Sequence, residues 1–549
     1  MPAASDRLGL DRLAPMSTIG LWFLSAEERG NVASAVGRRQ EDGRGWTDGN
    51  AVTPLVHGTT YFARLYQELS TLGPGDQIRF LAWRGDADQR LAGPGTELGL
   101  MLAGAARRGV DVRGLVWRSH PDQEGYAEQE NAHLANVVNE GGGEVLPDER
   151  VRRLGSHHQK LVVIRRRDRA AEDVAFIGGI DVCHGRGDDE RHDGDPQPTD
   201  LGRRYGPQPP WHDVQLEVRG SAVGDLEETF RERWGDSTPL DHRNPWRARI
   251  RRLADESRSA SALPMVLPDP PSAGDMAVQV LRTYPAKHPP FPFAPRGERS
   301  VARAYVKALA RARSLIYVED QYLWSTDVAL FFADALRRSP ELRLIAVVPR
   351  YPDRDGTLSG PLSRIGQQDA LAMVRAAGGD RVGVYNLESE AGRPIYVHGK
   401  LCVIDDVWMA VGSANLNRRS WTHDSEATCA VLDPQRDERP PVDPAGLGDG
   451  ARVLPRRLRS ALWREHLGTE VREAELLDPR AGFEAWRRVA DTLDAWHAGG
   501  QHGPRPGGRA RRHQPLPVPA WASWWARPLY RLGVDPDGRP GDLKRSAVF

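Results

Sequence analysis

Two histidine–lysine pairs with the same spacing are the residues of this sequence best able to do chemistry. His158 stands two positions before Lys160 and the apolar run LVVI, and His398 stands two before Lys400 and LCVI. The chain has five lysines against 70 arginines, so composition does not explain the repetition. On a strand, residues i and i+2 face the same way, so each phrase presents an imidazole beside an ammonium. The two pairs predict one site built from two halves.

Paired imidazoles suit displacement at phosphorus. One imidazole can attack and hold the phosphoryl group, while the second protonates the departing alkoxide and then activates water or an alcohol. The two lysines would neutralise the non-bridging oxygens, so this chemistry predicts no required cofactor and no metal ligands. Calcium is possible but not indicated. The acidic run 185–195 offers carboxylates without the spacing of a known calcium loop, and a solvated loop is preferred.

Further polar residues occupy matching positions in the two halves. Each imidazole needs a partner that fixes its tautomer, and we predict that Asp213 and Glu426 each accept a hydrogen bond from an imidazole across a pseudo-twofold axis. Asn415 offers an amide to a phosphate oxygen. The other candidates for substrate contact are Ser413, the backbone at Gly178, Gly179 and Gly412, and the strand residues Glu319 and Gln321, for which ordinary strand polarity is an equal alternative.

An internal repeat supplies the elements that position these residues. Each half reads strand, helix, strand, then the His-x-Lys strand, a returning strand, a strand with an acidic residue and a helix containing Trp. This order predicts an α/β fold. We expect two pseudo-twofold-related α/β/α sandwich halves with mixed β-sheets, forming one bilobal catalytic unit, plus a helical or irregular C-terminal tail. The predicted segments are an N-terminal extension (1–50), the first half (51–262), a Pro-rich linker (263–275), the second half (276–480) and the tail (481–549).

Composition narrows the functional classes. With 75 basic and 75 acidic residues there is no global electrostatic case for nucleic acid. Three cysteines form no disulfide framework and fit a reducing compartment. No signal peptide and no apolar run of about 18 residues is found, so we expect a cytoplasmic protein. The aromatic run 521–532 could meet a lipid interface, or it could pack against the protein.

Several phrases together resemble the phospholipase D superfamily, whose mark is two H-x-K-x(4)-D motifs. They are HHQKLVVI, VAFIGGIDVCHGR, PWHDVQLEVRG, IYVEDQYL, YVHGKLCVIDD, VGSANLNRRS and LWREHLG. The resemblance spans roughly residues 50 to 470 and is closest to the branch that includes the eukaryotic phospholipases D. It implies a covalent phosphohistidine mechanism without a required metal. It further implies that His158 is the nucleophile, that His398 is the general acid and base, and that Lys160, Lys400 and Asn415 bind phosphate.

The first motif departs from the family pattern. The second motif ends at Asp405, whereas the first has Arg165 at the corresponding position. Asp168 or Asp173 could take over from the missing carboxylate. Because the family's aspartate supports the site without touching phosphorus, we expect activity to survive. A second difference is Asp181 at the repeat position of Asn415, within a phrase typical of the eukaryotic-like branch.

The expected function is a phospholipase D acting at a membrane surface. It would cleave the distal phosphodiester of a glycerophospholipid such as phosphatidylcholine, releasing phosphatidic acid and an alcohol, and would also transfer the phosphatidyl group to added alcohols. A monomer should suffice, because one chain carries both half-sites. The alternatives are a phosphatidyltransferase of the cardiolipin-synthase kind, a phosphodiesterase on nucleic acid supported by RRRDR and RARR, and a catalytically dead scaffold supported by Arg165.

Overall fold

Most strands of the protein join one mixed β-sheet that passes through both halves. The computed structural model describes residues 18–40, 42–118, 128–240, 249, 260–323, 325–353, 359–518, 520–545 and 549. The strands are β1 (Thr47–Val56), β2 (Gln77–Ala82), β3 (Asp111–Trp117), β4 (Glu144–Asp148), β5 (Leu161–Arg165), β6 (Val174–Gly178), β7 (Trp211–His212), β8 (Val214–Arg219), β9 (Met276–Tyr284), β10 (Glu298–Arg299), β11 (Leu315–Glu319), β12 (Arg343–Val347), β13 (Val382–Leu387), β14 (Tyr396–Val397), β15 (Leu401–Ile404), β16 (Trp408–Gly412), β17 (Glu426–Leu432) and β18 (Ala510–Arg512).

Helices accompany both halves of the sheet. In the described residues they are Thr18–Trp22, Ala26–Arg29, Gly58–Ser70, Leu98–Arg107, Glu128–Glu140, Ala222–Trp234, Ser300–Arg311, Thr326–Arg338, Ser359–Gly378, Arg418–Thr422, Val453–Leu467, Glu473–Leu477, Pro479–Ala498 and Ala520–Leu529, with short 3₁₀ or π turns at Ala170–Glu172, Arg203–Tyr205, Gly379–Arg381 and Tyr530–Val534. No helix of the described residues is long and apolar enough to cross a membrane.

The strand order confirms the internal repeat. In space the order is β18-β13-β12-β11-β15-β16-β17-β9-β1-β8-β6-β5-β2-β3-β4, with β10 paired to β9. In the first half β2 is parallel to β3 and antiparallel to β5, and in the second half β11 has the same relations to β12 and β15. The two halves of the sheet meet where β9 pairs with β1.

Three apolar clusters account for the layers. A central cluster contains inward-facing residues from the strands of both halves, such as Leu161 and Leu401, together with the helices Ala222–Trp234 and Val453–Leu467. Separate clusters lie between each half's sheet and its remaining helices. Because both faces of β5 and β15 are covered, these strands are apolar without alternation, which is why LVVI and LCVI are continuous runs.

Some sequence predictions change in detail. The His-x-Lys phrases do not lie within strands: β5 and β15 begin one residue after Lys160 and Lys400, and the phrases form extended segments leading into them. Strand β1 crosses the boundary predicted between the N-terminal extension (1–50) and the first half, and the helix Gly58–Ser70 follows it. The C-terminal segment is helical and irregular as expected, but it also adds the edge strand β18 beside β13.

Candidate active site

Both histidines of the repeated motif open onto one cleft between the halves. The cleft has a volume of about 520 Å³, and His158 and His398 line it. Each histidine lies three residues before its strand, because ladder pairing starts only at Leu161 and Leu401. The segment before His398 is fixed by a second, two-stranded parallel sheet, in which β14 pairs with β7 of the other half.

Each imidazole is held by a carboxylate of the opposite half. His158 Nδ1 lies 2.9 Å from Glu426 Oε2, and His398 Nδ1 lies 2.6 Å from Asp213 Oδ2. Both predicted hydrogen bonds are therefore present, and both join the two halves. Glu426 and Asp213 are fully buried. With Nδ1 of each ring engaged, Nε2 is the nitrogen left for a reactant.

Ser413 and the glycines serve these carboxylates, so their prediction as substrate contacts is wrong. The buried Ser413 hydroxyl donates to Glu426 and accepts the Ala427 N–H. At the equivalent position of the first half, a Cβ on Gly179 would lie 2.1 Å from Asp213 Oδ1. A Cβ on Gly178 or Gly412 would collide with the neighbouring strand at Val214 O or Ala427 O. The glycines thus admit protein atoms, and all three are buried away from the cleft.

The two lysines differ in their partners. Lys160 Nζ lies 2.9 Å from Asp181 Oδ2 and donates to His158 O at 3.1 Å. Lys400 Nζ donates to His398 O and lies 3.3 Å from Gln321 Oε1. Among the described residues no carboxylate lies within 4.0 Å of Lys400 Nζ. The structure therefore neutralises one ammonium and leaves the other for an anionic ligand.

Burial and the lysines set the protonation of the site. Burial lowers the pKa of both His158 and His398, and the nearby ammonium of Lys400 lowers both further. Burial also lowers the pKa of Lys400 to about 7 and raises the pKa of Glu426 to about 7. The site thus favours neutral imidazoles at neutral pH.

Asn415 and Gln321 reach the cleft, whereas Glu319 does not. Asn415 lines the cleft, and its buried Oδ1 has no hydrogen-bond partner within the part of the chain that the structure describes. Gln321 also lines it and contacts Tyr396 as well as Lys400. The Glu319 carboxylate is fully buried and is bonded to His212 and His466 at 2.8 Å each. Its prediction as a substrate contact is wrong, because β11 turns that side chain into the protein interior.

Asp405 is also not part of the cleft. Its buried carboxylate accepts the backbone N–H groups of Arg313, Ser314 and Leu315, each at 2.8 Å, and so ties the turn after β15 to the start of β11. Asp405, predicted among the catalytic residues as an aspartate that supports the site without touching phosphorus, fixes a turn and does not line the cleft with the two histidines.

The first half makes the equivalent tie with a different residue. Asp76, just before β2, accepts the backbone N–H of Arg167 just after β5 at 3.0 Å. Arg165 instead forms buried ion pairs with Asp173 and Glu227. Asp173 thus partners Arg165, while Asp168 is exposed. Asp76 therefore replaces the missing motif carboxylate. It precedes β2, far from the motif in sequence, so a search for a shifted residue near the motif does not find it.

The acidic run 185–195 is packed, and its prediction as a solvated loop is wrong. The buried Asp188 and Asp195 carboxylates accept backbone N–H groups of their own loop and of Trp211. The run also supplies a cation that sequence reasoning missed. The Arg186 guanidinium lies 3.9 Å from the centre of the Trp211 ring and lines the cleft near His398.

The cleft also has a wall from the C-terminal segment. Tyr530, Gly533, Val534 and Asp535 line it, and Arg418 holds this segment by donating to Asp535 O. Within the aromatic run 521–532, Tyr530 is buried whereas Trp524 is 77% exposed. The run therefore contains both a packed part and an exposed part; the side chains of Trp521 and Trp525 lie outside the described residues.

Two repeated halves that bring two imidazoles to one cleft, each followed by a buried lysine, define the class of protein. A family model described as phospholipase D matches residues 87–330 and 381–495, more than half of the chain, and the chain belongs to that family. Similar proteins include phospholipase D alpha 1 of Arabidopsis thaliana, 25% identical over 84% of this chain and 68% of the relative. Another is phospholipase D alpha 1 of Brassica oleracea var. capitata, 26% identical over 71% of this chain and 59% of the relative.

These plant relatives agree with the predicted eukaryotic-like branch. The chain spans about three fifths to two thirds of their length. A solved structure, phosphatidylserine synthase of Haemophilus influenzae Rd KW20, is similar with a TM-score of 0.47 and 14% identity, over 70% of this chain and 82% of that one.

Proposed function

We propose that this protein is a phospholipase D that hydrolyses the distal phosphodiester of glycerophospholipids through a covalent phosphohistidine. The observation that carries the proposal is the pair of imidazoles on one cleft, each with Nδ1 on a buried carboxylate of the opposite half. This arrangement fixes both tautomers and leaves two Nε2 atoms for one phosphate. Nucleophilic and acid–base catalysis need such a division of labour between two groups.

In the first step His158 Nε2 attacks phosphorus. The new N–P bond forms as the P–O bond to the head-group alcohol breaks, and His398 Nε2, which the bound anionic phosphate would keep protonated, gives its proton to the departing oxygen. Glu426 stabilises the positive charge that develops on His158 as it attacks. Family resemblance assigns the nucleophile and the acid, because the two hydrogen-bonded pairs alone do not distinguish them.

In the second step His398, now neutral, takes a proton from water. The hydroxide oxygen forms a bond to phosphorus, the N–P bond breaks, and phosphatidic acid leaves with His158 neutral again. An alcohol in place of water gives a transphosphatidylation product by the same proton transfers. Asp213 holds His398 in one orientation through both steps.

The cations and the amide of the cleft would bind the phosphate. Lys400 has no carboxylate partner within 4.0 Å among the described residues, and an anionic phosphate beside it would favour its protonated form. Asn415 lines the cleft and would donate a side-chain N–H to a phosphate oxygen. Lys160 adds positive charge that Asp181 partly offsets.

Aromatic side chains around the cleft suit a lipid substrate. Trp83, Trp117, Trp211, Tyr396 and Tyr530 all line it, giving an apolar rim around a charged centre. The plant relatives are named phospholipases D, which supports the same substrate class. We propose that the protein works as a monomer on phospholipid at a membrane surface. Its balance of 75 basic and 75 acidic residues argues against nucleic acid as the main substrate.

A transphosphatidylation assay tests the proposal. The protein would be mixed with micelles of phosphatidylcholine and phosphatidylglycerol, with and without 1-butanol. We expect phosphatidylbutanol from the wild type and none from His158→Ala. His497→Ala is the matched control, because that histidine pairs with Glu388 and does not line the cleft. Cleavage of bis-nitrophenyl phosphate without any lipid product would contradict the lipase assignment and favour a nuclease or another phosphodiesterase.

A further inference from the structure

A second group of histidines meets close to the Asp213 segment but does not line the cleft. His57, His192, His212 and Glu465 each offer one ligand atom, and these atoms all lie within 4.8 Å of one another. The four residues come from the turn after β1, the acidic run 185–195, strand β7 and the helix Val453–Leu467. They are separated by up to 408 positions in the chain, and their spacing gives no sequence signal.

The imidazole nitrogens converge on the glutamate. His57 Nε2 lies 3.0 Å from Glu465 Oε2, and His192 Nε2 lies 2.9 Å from Glu465 Oε1. His212 Nδ1 lies 3.5 Å from Glu465 Oε1. Ligand atoms about 2.0 to 2.1 Å from a tetrahedral metal lie about 3.3 Å apart. The three distances to the glutamate are therefore close to those around a single ion, and all four ligand atoms lie within 4.8 Å of one another.

Two of the three rings have outer contacts that turn a nitrogen inward. His192 Nδ1 lies 3.1 Å from Trp211 O, and His212 Nε2 lies 2.8 Å from Glu319 Oε2. Metal-binding histidines usually donate their second ring N–H to a backbone carbonyl or a carboxylate in this manner. Glu319, wrongly predicted as a substrate contact, thus has a place as an outer partner of this cluster.

Burial and backbone conformation mark the cluster as a built site. His57 is 5% exposed, His192 and His212 are fully buried, and no described residue forms a hydrogen bond with the inward Nδ1 of His212. His57 and His192 also have positive φ angles of 67° and 58°. A non-glycine residue in that region costs free energy, so its surroundings must hold it there.

We propose that these four residues form a closed site for a transition-metal ion, with Zn²⁺ the best fit. Imidazole and carboxylate are both zinc ligands, and four protein ligands complete the tetrahedral coordination that zinc has in closed sites. Calcium takes oxygen ligands, so three imidazoles argue against it. Since four side chains fill the site and little of it is exposed, the ion would be structural and would leave no position for a substrate.

The ion would stabilise the general-acid side of the cleft. His212 O accepts the His398 N–H at 2.8 Å, and Asp213 follows His212 directly. A metal on His212 would fix this segment, and Glu465 would join it to the second half. The inference goes beyond the phosphodiesterase chemistry and does not depend on it.

The alternative to a metal site is a metal-free clamp, in which a protonated histidine holds two carboxylates together. Although burial alone would lower it, the carboxylates of Glu319 and Glu465 raise the pKa of His212 to about 10 in the absence of a metal. A protonated His212 would then bridge the two carboxylates. Metal and proton compete for the same Nδ1, so the two accounts predict different metal contents.

Metal analysis of the full chain distinguishes them. The protein would be purified without a histidine tag, and its metals measured by inductively coupled plasma mass spectrometry. We expect one zinc, or another transition metal, per chain. Stripping with a chelator should lower the melting temperature, and Zn²⁺ but not Ca²⁺ should restore it. Protein that binds no metal and whose melting temperature does not respond to Zn²⁺ would establish the protonated clamp.

Variants and spectroscopy locate the ion. His192→Ala should abolish stoichiometric binding, and Glu319→Gln should weaken affinity about 10- to 100-fold. His497→Ala, which alters a histidine–glutamate pair elsewhere, should keep one ion per chain. If His192→Ala does not fold, X-ray absorption of the wild type still decides: imidazole and oxygen ligands support the site, whereas sulfur ligands overturn it.

Discussion

The two halves hold their imidazoles alike but treat their lysines differently. Glu426 of the second half holds His158, and Asp213 of the first half holds His398, both through Nδ1. The longer glutamate is accompanied by a serine hydroxyl, and the shorter aspartate by a glycine that makes room for it. Equivalent positions thus reach the same hydrogen bond with different side chains.

The lysines show what the halves do not share. Asp181 neutralises Lys160, whereas the equivalent Asn415 carries no charge, and Lys400 is left without a carboxylate within 4.0 Å among the described residues. The two halves can therefore share a fold and still differ in the net charge around their lysines. Of the two motif lysines, Lys400 of the second half should contribute most of the attraction for a phosphate, while His158 of the first half would be the nucleophile.

The largest expected effect is the loss of turnover when either histidine is replaced, and a substrate with a good leaving group distinguishes their roles. His158→Ala and His398→Ala should each lower turnover of phosphatidylcholine by more than about 10³-fold, because each removes an essential group. With a nitrophenyl phosphodiester, whose leaving group departs without a proton, His398→Ala should still release one equivalent of nitrophenol in a burst. His158→Ala should give no burst.

Stopped-flow absorbance measures the burst, and mass spectrometry under acid-free conditions detects the phosphohistidine. A burst from His158→Ala with none from His398→Ala would exchange the two roles. Equal bursts from both variants would contradict a single covalent intermediate.

The next effect concerns the carboxylates. Asp213→Asn and Glu426→Gln should each lower kcat about 10²- to 10⁴-fold, the range for removing a carboxylate that orients a catalytic imidazole. Steady-state kinetics would show whether the two halves depend equally on this contact. Asp168→Asn, at an exposed position, is the matched control and should leave kcat unchanged.

Glu426→Gln should also change the dependence of stability on pH. Burial raises the pKa of Glu426 from 4.5 to about 7, so the folded state binds more protons than the unfolded state between these values. Wild-type stability therefore falls across this window as pH rises, and the glutamine variant lacks this loss. Urea unfolding at several pH values should show the free-energy difference shifting in the variant's favour up to about pH 7. A constant difference would contradict the raised pKa.

Replacing Lys400 should mainly affect substrate binding, whereas replacing Lys160 should mainly affect stability. Lys400→Met should raise KM for substrate with modest loss of stability, because it removes an ammonium with no buried carboxylate partner. Lys160→Met should destabilise the protein by about 3–5 kcal/mol, because it leaves Asp181 buried and unpaired. Adding Asp181→Asn should restore the free energy of unfolding.

The pH dependence of KM sharpens the same contrast. Burial lowers the pKa of Lys400 to about 7, so the free wild-type enzyme loses this cation as pH rises through 7. KM should rise above that pH in the wild type and remain flat in Lys400→Met. A rise of equal size in the variant would assign the titration to another group.

Replacing Gly179 and Ser413, which contact the two carboxylates, should lower kcat by different amounts. Gly179→Ala places a Cβ 2.1 Å from Asp213 Oδ1, so the carboxylate must move. A displacement of about 1 Å in a catalytic group costs on the order of 10²-fold in rate. Ser413→Ala adds no atom and removes one hydrogen bond, so kcat should fall only about 2- to 10-fold. Similar losses in both variants would mean that Asp213 adapts to the alanine.

The sequence predicted the features that the two halves share. It missed those in which a distant residue takes over a role. The repeat in LVVI and LCVI, and the acidic residue on each following strand, were enough for the two-half fold and for both imidazole–carboxylate pairs. These depend on local pattern and on position within a repeat. The prediction failed where a buried position looks like an exposed one in sequence, as for Glu319 and Ser413.

Long-range partners explain the other misses. Asp76 replaces the motif carboxylate from another strand, and the wall at Tyr530 comes from the far end of the chain. The histidines near Glu465 have no regular spacing. Such groups become neighbours only through the sheet order, which periodicity does not determine.

The smallest expected effect tests the two turn carboxylates. Asp405→Asn and Asp76→Asn should each lower the free energy of unfolding by about 1–3 kcal/mol, because each weakens buried hydrogen bonds to backbone N–H groups. The kcat per folded molecule should change less than about threefold, since neither side chain lines the cleft. Urea unfolding and active-site titration would separate the two quantities. If Asp405→Asn abolished turnover at unchanged stability, Asp405 would belong to the chemistry, and the halves would differ in mechanism as well as in charge.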